Sequence, residues 1–148
     1  MRLKRARVTN YRSIIDTDWF DVESAKTIFV GPNEAGKSAI LQALQQINPP
    51  QNVPKFDALR DYPRSKYNDI TTGRVDPKSV KVVEVEFELD DEDRAALPEA
   101  MRGVTYVFGR RLDNSAWHTL HDAPATPTYA SISKDLTRLC AHIDPRAK

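Results

Sequence analysis

The eight residues Gly31-Pro32-Asn33-Glu34-Ala35-Gly36-Lys37-Ser38 constrain this 148-residue chain more than any other segment. They fit the pattern G-x-x-x-x-G-K-[ST], in which a glycine-rich turn leads from a strand into a helix and cradles phosphate on the way. The flanks suit that context. Residues 27–30, Thr-Ile-Phe-Val, form a short apolar run that predicts a buried strand. Residues 38–47 place apolar side chains at 40, 41, 44 and 47, which predicts a helix that Pro49 and Pro50 bring to an end.

The chemistry follows from geometry. A helix N-terminus exposes unpaired N–H groups and a partial positive charge, so it attracts anions. Gly31 and Gly36 permit backbone turns that a side chain would block. The amides of residues 33–38 then face the phosphates, Lys37 reaches the outer phosphates as a point charge, and the Ser38 hydroxyl ligates Mg²⁺. The expected ligand is a nucleoside triphosphate with Mg²⁺. Its expected contacts are Gly31, Pro32, Asn33, Glu34, Ala35, Gly36, Lys37, Ser38 and Ala39.

Bulk properties narrow the setting. The formal charge is +1, so net electrostatics select no partner. Charged residues make up 29%, and the mean hydropathy of -0.57 is wet enough to suggest long exposed loops or missing partner surface. Cys140 is the only cysteine, which rules out an internal disulfide and suits a reducing, cytoplasmic compartment. No apolar run approaches membrane-spanning length, and no signal core follows the basic N-terminus.

Residues 2–12 predict an extended strand near a sheet edge. Arg2, Lys4, Arg5 and Arg7 read as charges that protect such an edge, or as phosphate or nucleic-acid contacts. A turn is expected at 14–17 and a second strand at 17–22, so two antiparallel strands precede the P-loop. Residues 51–76 read as loop with one helical turn at 56–60. Val83, Val85, Phe87 and Leu89 alternate with three glutamates, which predicts a half-buried antiparallel strand. Asp90 is placed to cap a short helix at 91–97, with Asp93 as the reciprocal acid of a capping box. Strands at 104–112 and 116–120 flank an Asp113-Asn114-Ser115 turn, and a last helix is expected at 131–143. The predicted fold class is α/β: a mixed sheet with the P-loop strand and helix, an antiparallel β-subdomain alongside and a C-terminal helix. All 148 residues read as one domain, with the P-loop part at about 1–50, a loop at about 51–78 and the subdomain from about 79.

Hydrolysis by a P-loop protein calls for a second acidic motif, an apolar strand ending in Asp. Leu89-Asp90-Asp91-Glu92 is the one candidate, and its strand carries Glu at every second position, unlike a buried parallel strand. Helix capping is the better reading. His118, His121 and His142 are scattered and read as surface or packing residues rather than zinc ligands. No catalytic residue is assigned.

Three segments together resemble a known group. Asn10-Tyr11-Arg12-Ser13-Ile14 is similar to the segment that opens the ATPase heads of the SMC/RecF superfamily, and residues 31–38 to their phosphate loop. The spelling Asn33-Glu34-Ala35-Gly36-Lys37-Ser38-Ala39-Ile40-Leu41 most resembles the OLD-family ATPases and related AAA-type ATPases of phage defence. Residues 56–63 resemble the loop after the P-loop helix in such proteins. The resemblance implies ATP as the nucleotide, Arg12 and Ser13 as further phosphate contacts, and Asn33 above the phosphates. It also implies head-to-head dimerisation, with DNA as a partner of the parent protein. The glutamine loop, signature motif and acidic strand of such heads have no counterpart here, so the chain reads as the N-terminal lobe of a larger ATPase, inactive in hydrolysis alone. A non-catalytic nucleotide- or partner-binding regulator is the alternative, and a small-molecule kinase a more remote one because two strands precede the P-loop.

Overall fold

Apolar residues alternating with charged ones build the sheet that supports everything else. The computed structural model describes residues 1–32, 36–125 and 128–143. Strands β1 (Arg2–Tyr11), β2 (Ile14–Asp16), β3 (Phe20–Asp21), β4 (Lys81–Glu88), β5 (Thr105–Arg111) and β6 (Ala116–His121) form one sheet. Its order is β2-β1-β4-β5-β6, with β3 also on β1, and these pairings are all antiparallel. The strands expected to form a β-subdomain alongside therefore continue the N-terminal hairpin directly: Ala6 lies opposite Val85 and Val8 opposite Val83. Helices α1 (Lys37–Gln45), α2 (Ala58–Asp61), α3 (Tyr67–Thr71), α4 (Asp91–Ala96) and α5 (Tyr129–Ile143) complete an architecture compatible with the expected α/β class.

β1 is an interior strand, not the edge strand its charge suggested. Its arginines are neutralised across the ladder. Arg2 pairs with Glu88 at 2.7 Å, Arg5 with Glu86 and Arg7 with Asp16. Glu86 is buried, which is tolerable because Arg5 both pairs with it and lies on the Trp19 ring. These pairs favour the structural reading of the basic strand over a nucleic-acid contact.

β4 is the centre of the core. Val82, Val83 and Val85 are fully buried. Strict alternation fails because the register shifts between Lys81 and Val83, where a bulge lets adjacent valines both turn inward. The β5–β6 hairpin forms as expected, with Asn114 at φ 69° in its turn. Gly109 is required there because Trp117 lies across it. A Cβ at Gly109 would stand 2.5 Å from that ring.

Three further expectations, between residues 12 and 30, need correction. The first turn falls at residues 12–13 rather than 14–17, because Asn10 and Arg12 adopt left-handed φ values of 50° and 53° and Ile14 already pairs with Tyr11. The second strand shortens to Phe20–Asp21 because Asp18 is left-handed, at φ 54°. The third concerns residues 27–30, which form no strand: Ile28 and Val30 are 66% and 91% exposed, while the Phe29 ring meets the Phe20 ring 5.4 Å away and the Thr27 hydroxyl accepts from the Glu23 N–H at 2.9 Å. Both edges of β1 are occupied, one by β4 and the other by β2 and β3.

The P-loop helix appears as α1, but its buried stripe runs through Ala39, Ala43 and Gln46. Ile40, Leu44 and Ile47 pack at the margin, and Leu41 is exposed. The alanines let the helix backbone approach the sheet closely. Residues 51–76, expected to be mostly loop, contain α2 and α3. The predicted capping box on α4 is present, with Asp90 and Asp93 each accepting from the other's backbone N–H. α5 forms with Leu136 and Leu139 still 39% and 56% exposed.

Candidate functional site

α1 begins at Lys37, immediately after Gly36, whose φ of 88° and ψ of 5° only glycine adopts without strain. A Cβ at Gly36 would also stand 3.2 Å from Ile14 Cγ1 and 3.4 Å from Ser13 Oγ. The missing side chain lets the β1–β2 turn press against the start of the helix. Among the described residues no side chain caps α1, and its first turn carries no acid. Its first N–H groups and dipole are left for an external anion.

Beside this helix start lies an open cavity of about 510 Å³, lined by Arg12, Ser13, Gly36, Lys37, Ser38 and Ala39 together with Gln42. The structure therefore brings Arg12 and Ser13, expected as phosphate contacts, to the N-terminus that carries Lys37 and Ser38. The Lys37 ammonium donates to the carbonyls of Gly31 and Pro32, both at 2.6 Å, and so ties the first half of the loop to the helix. Gly31 and Pro32 are themselves exposed and form no wall of the cavity. Asn33, Glu34 and Ala35 lie outside the described residues.

Arg12 is held from several sides. Its Nε donates to Asp61 Oδ1 at 3.1 Å, its Nη1 to Gln42 Oε1 at 2.5 Å, and its backbone N–H to the Asp61 carbonyl at 2.7 Å. The guanidinium lies 5.1 Å from the centre of the Tyr11 ring. Tyr11 is buried edge-on against Phe56, and burial raises its phenol pKa.

Asp61 is fully buried, and its carboxylate is saturated. Oδ1 accepts from Arg12 Nε and Arg60 Nε, and Oδ2 from Arg60 Nη2 and the Asp57 amide. Burial disfavours the ion. The hydrogen bonds from Arg60, the Asp57 amide and Arg12 outweigh it and hold the pKa below the ordinary aspartate value. One carboxylate between two guanidinium groups leaves a net positive charge beside the cavity.

The far hairpin steadies this assembly. Asn114 accepts from the Phe56 N–H at 2.8 Å and donates to the Phe56 carbonyl at 2.9 Å. Asp57 then caps α2 through the amides of Leu59 and Arg60, and α2 ends at Asp61. Gln42, Asp61 and Asn114 escape sequence reasoning because each acts across a long stretch of chain. The one local trace is the Asp57 cap three residues before the Arg60-Asp61 pair.

Asp90, the candidate acid of a second motif, is engaged elsewhere. It caps α4 and binds the N-terminal ammonium, which draws its pKa down to about 2. Among the described residues no cluster of three metal-ligating side chains occurs, and no helix is long and apolar enough to cross a membrane.

Comparison with curated proteins found no match. The sequence model of the AAA ATPase domain matches residues 1–108, spanning the sheet's first strands, the glycine loop, α1 and the Arg12–Asp61 assembly. With that match over most of the chain, and an uncapped helix start beside a cationic cavity, the chain belongs to the AAA ATPase domain family, a nucleotide-binding P-loop ATPase module.

Proposed function

We propose that the chain binds ATP with Mg²⁺ as the phosphate-binding lobe of an ATPase resembling the OLD and SMC/RecF-like heads. The observation that carries this reading is the convergence of the α1 N-terminus, Lys37, Ser38 and Arg12 on one cavity. The α1 amides and dipole take the phosphate oxygens, and Lys37 leaves the Gly31 and Pro32 carbonyls to meet the outer phosphates. Ser38 presents an exposed hydroxyl at the same helix start, which fits a Mg²⁺ ligand. Arg12 adds a second cation from the β1–β2 turn, and Ser13 a hydroxyl.

Hydrolysis in this reading waits on the acidic and signature motifs of a complete head, or on a partner head that closes over the outer phosphate. The parent ATPase then works in DNA metabolism or phage defence in the cytoplasm, a reading that rests on the spelling of residues 10–14 and 33–41. The second reading is a regulator that binds nucleotide without turning it over, and the engagement of Asp90 in a helix cap favours it for the isolated chain.

Calorimetric titration with Mg-ATP tests the shared premise. The wild type should bind, and Lys37→Ala should weaken binding by about tenfold or more, the value of one charge-assisted contact. Equal binding by the two proteins would remove the proposal. Phosphate release by the isolated chain above that of Lys37→Ala would replace both readings with a self-sufficient ATPase.

A further inference from the structure

Arg12 is unlike a free surface arginine, and its restraint has a consequence for the nucleotide site. An arginine that meets phosphate from an unrestrained state loses rotamer freedom on binding, which weakens the contact. Here that freedom is already gone: the backbone is pinned to the Asp61 carbonyl, Nε to the Asp61 carboxylate, Nη1 to Gln42, and the guanidinium plane to Tyr11. Among the described residues Nη2 has no acceptor. The same residue lines the cavity at the α1 N-terminus.

From this arrangement we infer that Asp61, seconded by Gln42, is a positioning residue that holds the Arg12 guanidinium ready for the nucleotide phosphates. The inference rests on the nucleotide reading and extends it to residues outside the glycine loop. Asp61 suits the task because its four acceptor positions are filled by Arg12, Arg60 and the Asp57 amide, so it cannot swing away. It also keeps two like-charged guanidinium groups side by side that would otherwise repel. The Asn114 clamp on Phe56 carries this fixity back to the β5–β6 hairpin. Gln42 adds a direct strut from α1, the helix that binds the phosphates.

A double-mutant cycle on Mg-ATP affinity tests the inference in the full chain. Arg12→Ala should weaken binding about tenfold and Asp61→Asn about three- to tenfold. The Arg12→Ala/Asp61→Asn double variant should match Arg12→Ala within about twofold, because a residue acting through Arg12 has nothing left to act through. A merely structural role for Asp61 would lower affinity equally in both backgrounds. Gln42→Ala, an exposed substitution on a helix, should give a smaller loss that also vanishes without Arg12. That arm decides the matter if circular dichroism shows Asp61→Asn to be unfolded. Wild-type affinity in Asp61→Asn or in Gln42→Ala, or a loss that persists in the Arg12→Ala background, overturns the positioning role. If Lys37→Ala still weakens binding in that case, the nucleotide reading stands alone. Absence of binding by the wild type removes both.

Discussion

Two short runs rich in β-branched residues meet opposite fates in this molecule. Residues 82–85, Val-Val-Glu-Val, lie between β1 and β5 with all three valines fully buried. Residues 28–30, Ile-Phe-Val, form no strand and leave Ile28 and Val30 largely exposed. Intrinsic strand propensity is high in both, and not lower in residues 28–30. The difference is neighbours: a strand buried on both faces needs ladder partners and apolar cover, and β1 has no edge left to offer. Strand formation here follows ladder partners and apolar cover rather than residue type alone.

Charge substitution gives the largest contrast. Val85→Asp places an unpaired carboxylate in the centre of the core and should cost upwards of about 4 kcal/mol, enough to unfold a marginal domain. Val30→Asp should stay within about 0.5 kcal/mol of wild type. Urea denaturation of both variants checks the pair, and a large loss from Val30→Asp would show that residues 27–30 are buried in solution. Gly109→Ala sharpens the sheet side: its Cβ would enter the Trp117 ring, so a loss of about 2–3 kcal/mol is expected in the same assay. On the cradle side, Gly36→Ala combines a left-handed backbone with a 3.2 Å contact to Ile14, and about 1–2 kcal/mol is expected, together with weaker Mg-ATP binding.

The smallest effect is a pH dependence. Asp61 has a folded-state pKa below its ordinary value of 3.8. Its contribution is therefore complete above that unfolded value and is lost as pH falls through the lower native one. Between about pH 5 and pH 2 the urea midpoint of Asp61→Asn should fall less steeply than that of the wild type. The slope should not vanish, because Asp16, Glu88, Asp90 and Asp113 are depressed as well. Identical slopes would mean that Asp61 titrates alike in both states.

Where local chemistry decides, the sequence is legible. The glycine loop announces α1, Asp90 and Asp93 announce the cap of α4, and Asp113-Asn114-Ser115 announces the last hairpin. What cannot be read there is set by distant partners. The glutamates of β4 look like a solvated face until Arg2 and Arg5 stand opposite them, and the arginines of β1 look like an edge for the same reason. Asp61 looks like one more charge in a polar loop until Arg12, 49 residues earlier, donates to it. The apolar stripe of α1 is legible only in part: Ile40, Leu44 and Ile47 pack against the core, but alanine carries a weak hydrophobic signal, so the deepest positions, Ala39 and Ala43, escape it.

The central claim is that the start of α1 and Arg12 form one phosphate cradle. Amide and guanidinium ¹H–¹⁵N spectra of the full chain, titrated with Mg-ATP, test it directly. The Gly36, Lys37, Ser38 and Ala39 amides and the Arg12 Nε–H should move together and saturate at one concentration. Shifts confined to other parts of the sheet, or none at these five groups at saturating nucleotide, would contradict it.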